Sequence, residues 1–211
     1  MITVYAFRQA PGFAQGVVRD LRVRWALNEA GLDYQTSLLG DGAHKEAPYR
    51  GLQPFGQIPA YQEDDLVLFE SGAIVLHVGA KSSVLLPEDA HGRARTTCWV
   101  FAALNSIEVV VQQLAEIDIF FPEEPWAIAH RPQVEERVRI RLEELAARLQ
   151  GRDYLEEHFS CGDLMMATVL RLLRHTTLVT GHALLGPYLA RCEARPAFQR
   201  ALTEHLAAFA T

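Results

Sequence analysis

Pro59 constrains this chain more than any other single residue. A proline has no N–H to give to a ladder and holds φ near one value, so it cannot sit inside a central strand. It stands in Gln57-Ile58-Pro59-Ala60-Tyr61, and Glu70-Ser71-Gly72 begins nine residues after Tyr61. Ile58 to Tyr61 and Leu66 to Phe69 read as short strands. Glu63-Asp64-Asp65 is a tight polar turn between them, so the two form a hairpin. Ser71 opens a helix through Val78. A strand entry with unpaired backbone groups therefore lies close to a helix start. The first is suited to reading a peptide backbone, and the second to holding a carboxylate.

The hairpin belongs to a first half with mixed elements. Ile2 to Phe7 is a β-rich run. Residues 16–30 carry Val17, Leu21, Trp25 and Asn28 at helical spacing, and Gly31 stops that helix. Asp33 to Leu38 reads as a second strand. Residues 1–79 thus follow the order β-α-β, then β-β-α, with a right-handed crossover in the parallel unit. Residues 80–91, with Lys81-Ser82-Ser83 and Pro87, read as a linker. Beyond it strand signals vanish. Helices are expected over 92–116, 132–149, 162–178, 182–192 and 196–209, making residues 92–211 an all-α bundle. Ser160-Cys161-Gly162-Asp163 is a capping box with Asp in the last position.

Composition excludes several classes. The chain has 211 residues and a formal net charge of −6. Residues 1–80 hold 6 basic and 9 acidic side chains and residues 81–211 hold 14 and 17, so each half carries −3. Nucleic-acid binders show a basic stripe. The nearest approach, Arg19, Arg22 and Arg24, alternates with Asp20 and apolar residues and reads as a solvated helix face. No run approaches the roughly 18 apolar residues of a membrane span, and the start lacks the features of a secretory signal. The three cysteines, Cys98, Cys161 and Cys192, are too scattered for a disulfide framework. They read as reduced thiols in a cytoplasmic protein, with Cys98 and Cys192 as small apolar residues in the interior. The eight histidines offer no close metal pair, and no metal is expected.

Five segments in order resemble the cytosolic glutathione transferases. Arg22 to Leu32 is similar to the family's first helix, and Leu52 to Ala60 to the loop leading to its cis-proline. Phe69-Glu70-Ser71-Gly72-Ala73-Ile74 is similar to its γ-glutamyl site, and Tyr154 to Asp163 to the cap of its central helix. Tyr188 to Arg191 with Arg195 to Phe198 resemble its last helices. The resemblance implies a thioredoxin-like α/β domain joined to an all-α helical domain, and glutathione as co-substrate. An X–Pro bond taken alone favours trans; the resemblance implies cis at Pro59. Ile58 then turns its N–H and C=O toward the ligand backbone. Ser71 and the helix terminus hold the γ-glutamyl carboxylate, Glu70 the ammonium, and Gln57 the glycyl end.

Such enzymes stabilise a thiolate. A thiol with a pKa near 8.5 is only ~3% ionised at pH 7. Lowering it by about 2 units takes about 2.7 kcal/mol, within reach of one hydrogen bond to a charged group at about 1.5–3 kcal/mol. Many relatives use a Ser, Cys or Tyr near the first helix. Here the serine-type position falls near Val17, and neither Ser nor Cys precedes Ser37. Tyr5 is the one early aromatic hydroxyl and the catalytic candidate. Arg8, Gln15 and the N–H groups around Ala14 to Val17 are the others. Phe7 and Phe13, with Phe101, Asn105 and Glu108, are the candidates for an apolar electrophile pocket. A homodimer that detoxifies small electrophiles is the implied assembly and role. A non-catalytic glutathione-binding or stress-interaction module of the same fold is the alternative, kept open by the missing hydroxyl. A glutaredoxin-like oxidoreductase needs a reactive cysteine in the first domain, where none precedes Cys98.

Overall fold

A computed structural model describes residues 1–210. The chain divides into two compact units, one built from Met1–Glu88 and the residues from Arg195 onward, the other from Asp89–Ala194. In the first unit β1 (Ile2–Phe7) is followed by α1 (Asp20–Ala30) and β2 (Tyr34–Leu39). A short helix α2 (Ala47–Arg50), the hairpin β3 (Ala60–Glu63) and β4 (Leu66–Phe69), and α3 (Ser71–Gly79) complete it before the linker. The sheet order is β2-β1-β3-β4. β1 pairs parallel with β2 and antiparallel with β3, and β3 pairs antiparallel with β4. The β-α-β and β-β-α halves expected from the pattern are both present.

Differences from the pattern have local causes. Helix α1 begins at Asp20 rather than residue 16, because Gly16 has φ +82° and breaks a right-handed helix. Strand β3 begins at Ala60, after Pro59, which cannot join the ladder. On β1 the odd and even positions separate cleanly. Ile2, Val4 and Ala6 are buried, whereas Thr3, Tyr5 and Phe7 are half-buried. Tyr5 and Phe7 pack against Tyr49, Ile58 and Ala60.

Arg22 and Arg24 were expected on a solvated face. Instead α1 is buried along Asp20 to Leu27, with Asp20, Arg22 and Arg24 each 3% exposed or less. Charges survive such burial only when paired. Arg24 Nε donates to Asp20 Oδ2 at 2.8 Å, and His205 Nδ1 lies 3.1 Å from the same oxygen. His205 belongs to α9 (Pro196–Ala207), which the sequence pattern counts with the all-α half and which packs on α1 within the first unit. Trp25 and Phe198 meet edge to face at 4.7 Å, and Arg195 grips Glu29 with two N–H groups. Tyr34 donates to Glu204, and burial with that bond holds the phenol well above its ordinary pKa.

The second unit is helical. Helix α4 (Ala90–Ala102) runs through a π-helical turn (Ala103–Glu108) into α5 (Val109–Phe120). Asp89 caps it by accepting from Gly92 N–H at 2.7 Å. This 31-residue stretch is long and apolar enough to cross a membrane by composition, a length the sequence pattern understated. Part of its apolar content is the packing surface of this unit: Val100, Ala103, Ile107, Val111 and Leu114 are buried. Helix α6 (Pro125–Leu149) starts seven residues before the expected 132, since Pro132 sits inside it rather than at its start. A proline there leaves the carbonyl one turn back without its donor. Arg131, beside it, grips both Asp118 oxygens at 2.6 and 2.9 Å and binds the turn to α5.

Helix α7 (Cys161–Leu170) passes into a 3-10 turn, Arg171–Leu173, instead of continuing to 178. The Thr176 hydroxyl donates to Leu173 C=O and accepts from Leu178 N–H, taking over backbone groups that a helix would use. Helix α8 (Leu185–Glu193) closes the unit. Cys161 and Cys192 are buried, and burial pushes the Cys161 thiol up to about 12. Cys98 is exposed, against the expectation of an interior role, because the buried face of α4 runs through Thr96 and Val100.

Candidate functional site

The register brings the two opening motifs to one end of the sheet. Ala60 pairs with Tyr5 of β1 and with Phe69 of β4. Ile58-Pro59, just before β3, and Glu70-Ser71, just after β4, therefore flank the same pair of strand ends. The Ile58–Pro59 bond is cis, as the resemblance implied.

Both backbone groups of Gln57 are held from within the unit. Its N–H donates to Gln53 Oε1 at 3.1 Å, and its C=O accepts from Tyr49 Oη at 2.7 Å. Burial, with Tyr5 nearby, pushes the Tyr49 phenol well above its ordinary pKa, so it stays a donor. Gly56 makes the approach: its φ is +63°, and a Cβ there would meet the His44 carbonyl oxygen at 2.8 Å. Ile58 follows this anchored residue and lies outside every strand pairing, since the ladder starts at Ala60. The Gln57 side chain is exposed while Ile58 and Pro59 are buried.

At the other motif Glu70, not Ser71, is the N-cap residue, and it makes no side-chain cap. Its φ of +68° with ψ of 112° is a strained conformation for a glutamate, and the residue is exposed. Ser71 is the first residue of α3. The first helical bond runs from Ile74 N–H to Glu70 C=O at 3.0 Å, so the N–H groups of Ser71, Gly72 and Ala73 precede the helical ladder. They carry the positive end of the helix dipole. The Ser71 hydroxyl, in a residue 5% exposed, accepts from Arg22 Nη1 at 3.2 Å.

Arg22 is the residue that sequence reasoning missed. It was grouped with Arg19 and Arg24 as solvated. A signal was present: Asp20 and Arg24 are four apart, the spacing of an intrahelical pair, and apolar residues surround all three arginines on the helix.

Tyr5 does not join this group. Its hydroxyl donates to Gln62 Oε1 at 3.0 Å, and its ring lies 5.8 Å from Tyr49. Gln62 is two residues farther along β3 than Ala60, the partner of Tyr5, and lies opposite Thr3, so the phenol points toward the start of β1. There it lines a polar hollow with Thr3, Gln35, Ser37 and Asp64. Tyr5, the candidate for the thiol-activating hydroxyl, is engaged by Gln62 in this geometry. We expect Tyr5→Phe to leave kcat/KM for thiol addition within about twofold, since a hydrogen bond remote from the reacting atoms carries little transition-state stabilisation. A tenfold loss in steady-state assays would return Tyr5 to the mechanism.

The first loop is committed to itself. Ala14 and Gln15 N–H both donate to Pro11 C=O, Val17 N–H donates to Ala14 C=O, and Gln15 Nε2 donates to Ala10 C=O at 3.0 Å. The helix start that sequence placed at Ala14 to Val17 lies instead at Asp20, so the dipole acts from there. Arg8 is exposed. Of the apolar candidates in the first unit, Phe7 packs edge-on against His44 at 5.1 Å, and Phe13 is 45% exposed. In the second unit Phe101 is 53% exposed, Asn105 is exposed, and Glu108 is 5% exposed at the end of the π-helical turn.

A parallel β-α-β unit, a cis-proline entering an antiparallel hairpin and a helix start beside it define a thioredoxin-like ligand domain, here joined to an all-α unit. Residues 14–80 match the family model for the glutathione S-transferase N-terminal domain. Glutathione S-transferase 4 of Zea mays is 34% identical over 167 residues, 74% of this chain and 73% of its own length. A glutathione S-transferase of Hyoscyamus muticus is 28% identical over 197 residues, 86% and 92% of the two chains. Among solved structures, a glutathione transferase of Burkholderia graminis with two glutathione molecules bound per subunit superposes with a TM-score of 0.83. It is 26% identical, and the match covers 95% of this chain and 87% of that one. The chain belongs to the glutathione S-transferase family.

Proposed function

We propose that the first unit binds glutathione across Ile58-Pro59 and Glu70-Ser71 and presents its thiol to a small apolar electrophile. One observation carries the reading: a backbone segment outside the ladder and a helix terminus with free N–H groups share one end of the sheet. The Ile58 backbone pairs with the cysteinyl backbone as an added strand. Ser71, with the N–H groups of Gly72 and Ala73, takes the γ-glutamyl carboxylate. Glu70, swung outward by its positive φ, takes the ammonium, and Gln57 the glycyl end. In the reaction the cysteinyl S–H releases its proton and the thiolate forms a C–S bond. A leaving group then departs with its electron pair, or the adduct takes up a proton. The start of α1 stabilises the thiolate through the helix dipole.

Of the pocket candidates, Phe13 in the first unit is exposed and so, in the second unit, are Phe101 and Asn105, whereas Phe7 and Glu108 are packed more deeply. A homodimer, a cytoplasmic location and a role in detoxification complete the reading. The second reading, a binding module without turnover, is favoured by the lack of Ser or Cys before Ser37 and by the commitment of Tyr5 to Gln62.

Calorimetric titration with glutathione, followed by conjugation assays on a panel of aromatic halides, epoxides and Michael acceptors, separates the two. We expect binding in the micromolar to millimolar range and turnover on at least one electrophile. Binding without turnover on the whole panel favours the module. No binding sinks both readings.

A further inference from the structure

We infer that Arg22 is a positioning residue for the anion end of this site. From helix α1 it holds the Ser71 hydroxyl so that its proton is directed at the γ-glutamyl carboxylate. The inference rests on the glutathione reading above. A serine hydroxyl has one proton and two lone pairs, and a guanidinium has donors only. With Arg22 Nη1 at 3.2 Å from Ser71 Oγ, one lone pair is occupied from inside the protein. The hydroxyl proton cannot point at Arg22 and is left for a partner on another side. A hydroxyl that accepts from a charged donor is also polarised into a better donor.

Burial strengthens the arrangement. Arg22 is 2% exposed, so its charge acts on the first turn of α3 through protein rather than water. The same turn carries the free N–H groups and the positive dipole end. Three positive contributions therefore converge where Ser71 opens the helix: the guanidinium, the dipole and the oriented O–H. Arginine suits the role because its planar fork fixes the direction of each N–H. The pair joins residues 49 apart, which is why neither motif alone announces it.

The test is calorimetric affinity for two ligands. One is glutathione; the other is γ-aminobutyryl-cysteinyl-glycine, which keeps the ammonium and lacks only the γ-glutamyl α-carboxylate. Glutathione with its amine acetylated separates the carboxylate from the ammonium. Arg22→Met is expected to weaken glutathione and the acetylated ligand by about tenfold. The γ-aminobutyryl ligand should change by less than about twofold, because it has no carboxylate to sense the loss. Arg22→Lys, which retains the charge and a donor, is expected to recover affinity to within about threefold of the wild type.

Equal losses on all three ligands, or no loss on any, overturn the inference. Should Arg22→Met fail to fold by thermal melting, Arg22→Gln against Arg22→Lys decides. The lysine variant should prefer carboxylate-bearing ligands more strongly, and equal preference overturns the inference. Wild-type protein that binds none of the ligands overturns the glutathione reading and this inference with it. Wild-type protein that prefers the carboxylate, with Arg22 variants that keep the preference, overturns this inference alone.

Discussion

Asp163→Ala is expected to destabilise the second unit by about 4 kcal/mol. Asp163 is fully buried at the first turn of α7. It accepts from Leu155 N–H at 2.9 Å, Ser160 N–H at 3.0 Å, Ser160 Oγ at 3.2 Å and Tyr188 Oη at 3.0 Å. Alanine leaves those donors buried, and each unmet buried group costs about 1–3 kcal/mol without full additivity. Ser160→Ala should cost less, about 1 kcal/mol, because it removes one cap from Gly162 N–H. Urea denaturation followed by helical circular dichroism measures both. A loss under about 1 kcal/mol for Asp163→Ala would mean that the donors find other partners.

The same carboxyl has a pH signature. Burial raises its pKa from 3.8 to about 6, against the opposing pull of the N–H and O–H groups that it accepts from. The native state thus binds this proton more tightly than the unfolded chain. The stabilisation from protonation is complete below pH 3.8 and is lost as pH rises through about 6. The stability gap between wild type and Asp163→Ala should therefore narrow as pH rises across that window and stay constant above it. A gap that widens across the window would reverse the assignment.

Ser71→Ala is expected to weaken glutathione by about thirtyfold, the value of one hydrogen bond to a charged group. The substitution removes the Ser71 hydroxyl from the proposed anion site and leaves the N–H groups of the first turn in place. Some binding should therefore persist. The bond from Arg22 Nη1 to Ser71 Oγ is also lost, so stability should fall by about 1 kcal/mol. Calorimetry with glutathione measures the first effect and thermal melting the second. Full retention of affinity would mean that the helix terminus alone holds the carboxylate.

Much of the site was legible because its parts are local. Pro59 excludes itself from a ladder wherever it sits, so the start of β3 at Ala60 rather than Ile58 was legible in principle from one residue. Ser160 and Asp163 sit at the spacing that lets a first helical turn satisfy itself. Gly31 at φ +66° ends α1 with left-handed geometry that glycine adopts freely. The Gly16 break was legible in principle and was overridden by the apolar spacing through Val17. The direction of the Tyr5 hydroxyl was not legible, because a strand pattern gives the face of a side chain but not where its hydroxyl points along that face.

By itself, then, the sequence determined the order of strands and helices in the first half, that a helical half follows it, and the two motifs that the fold brings to one end of the sheet. Caps, turns and proline act over a few residues, and their energetics do not depend on distant partners. Only the tertiary structure decided that Arg22 is buried under Ser71, that α9 returns to α1 through His205 and Phe198, and that Tyr5 points to Gln62. Burying a charge is costly until a partner meets it. Such partners lie tens to nearly two hundred residues away, so their pairing exists only once the packed surfaces have met.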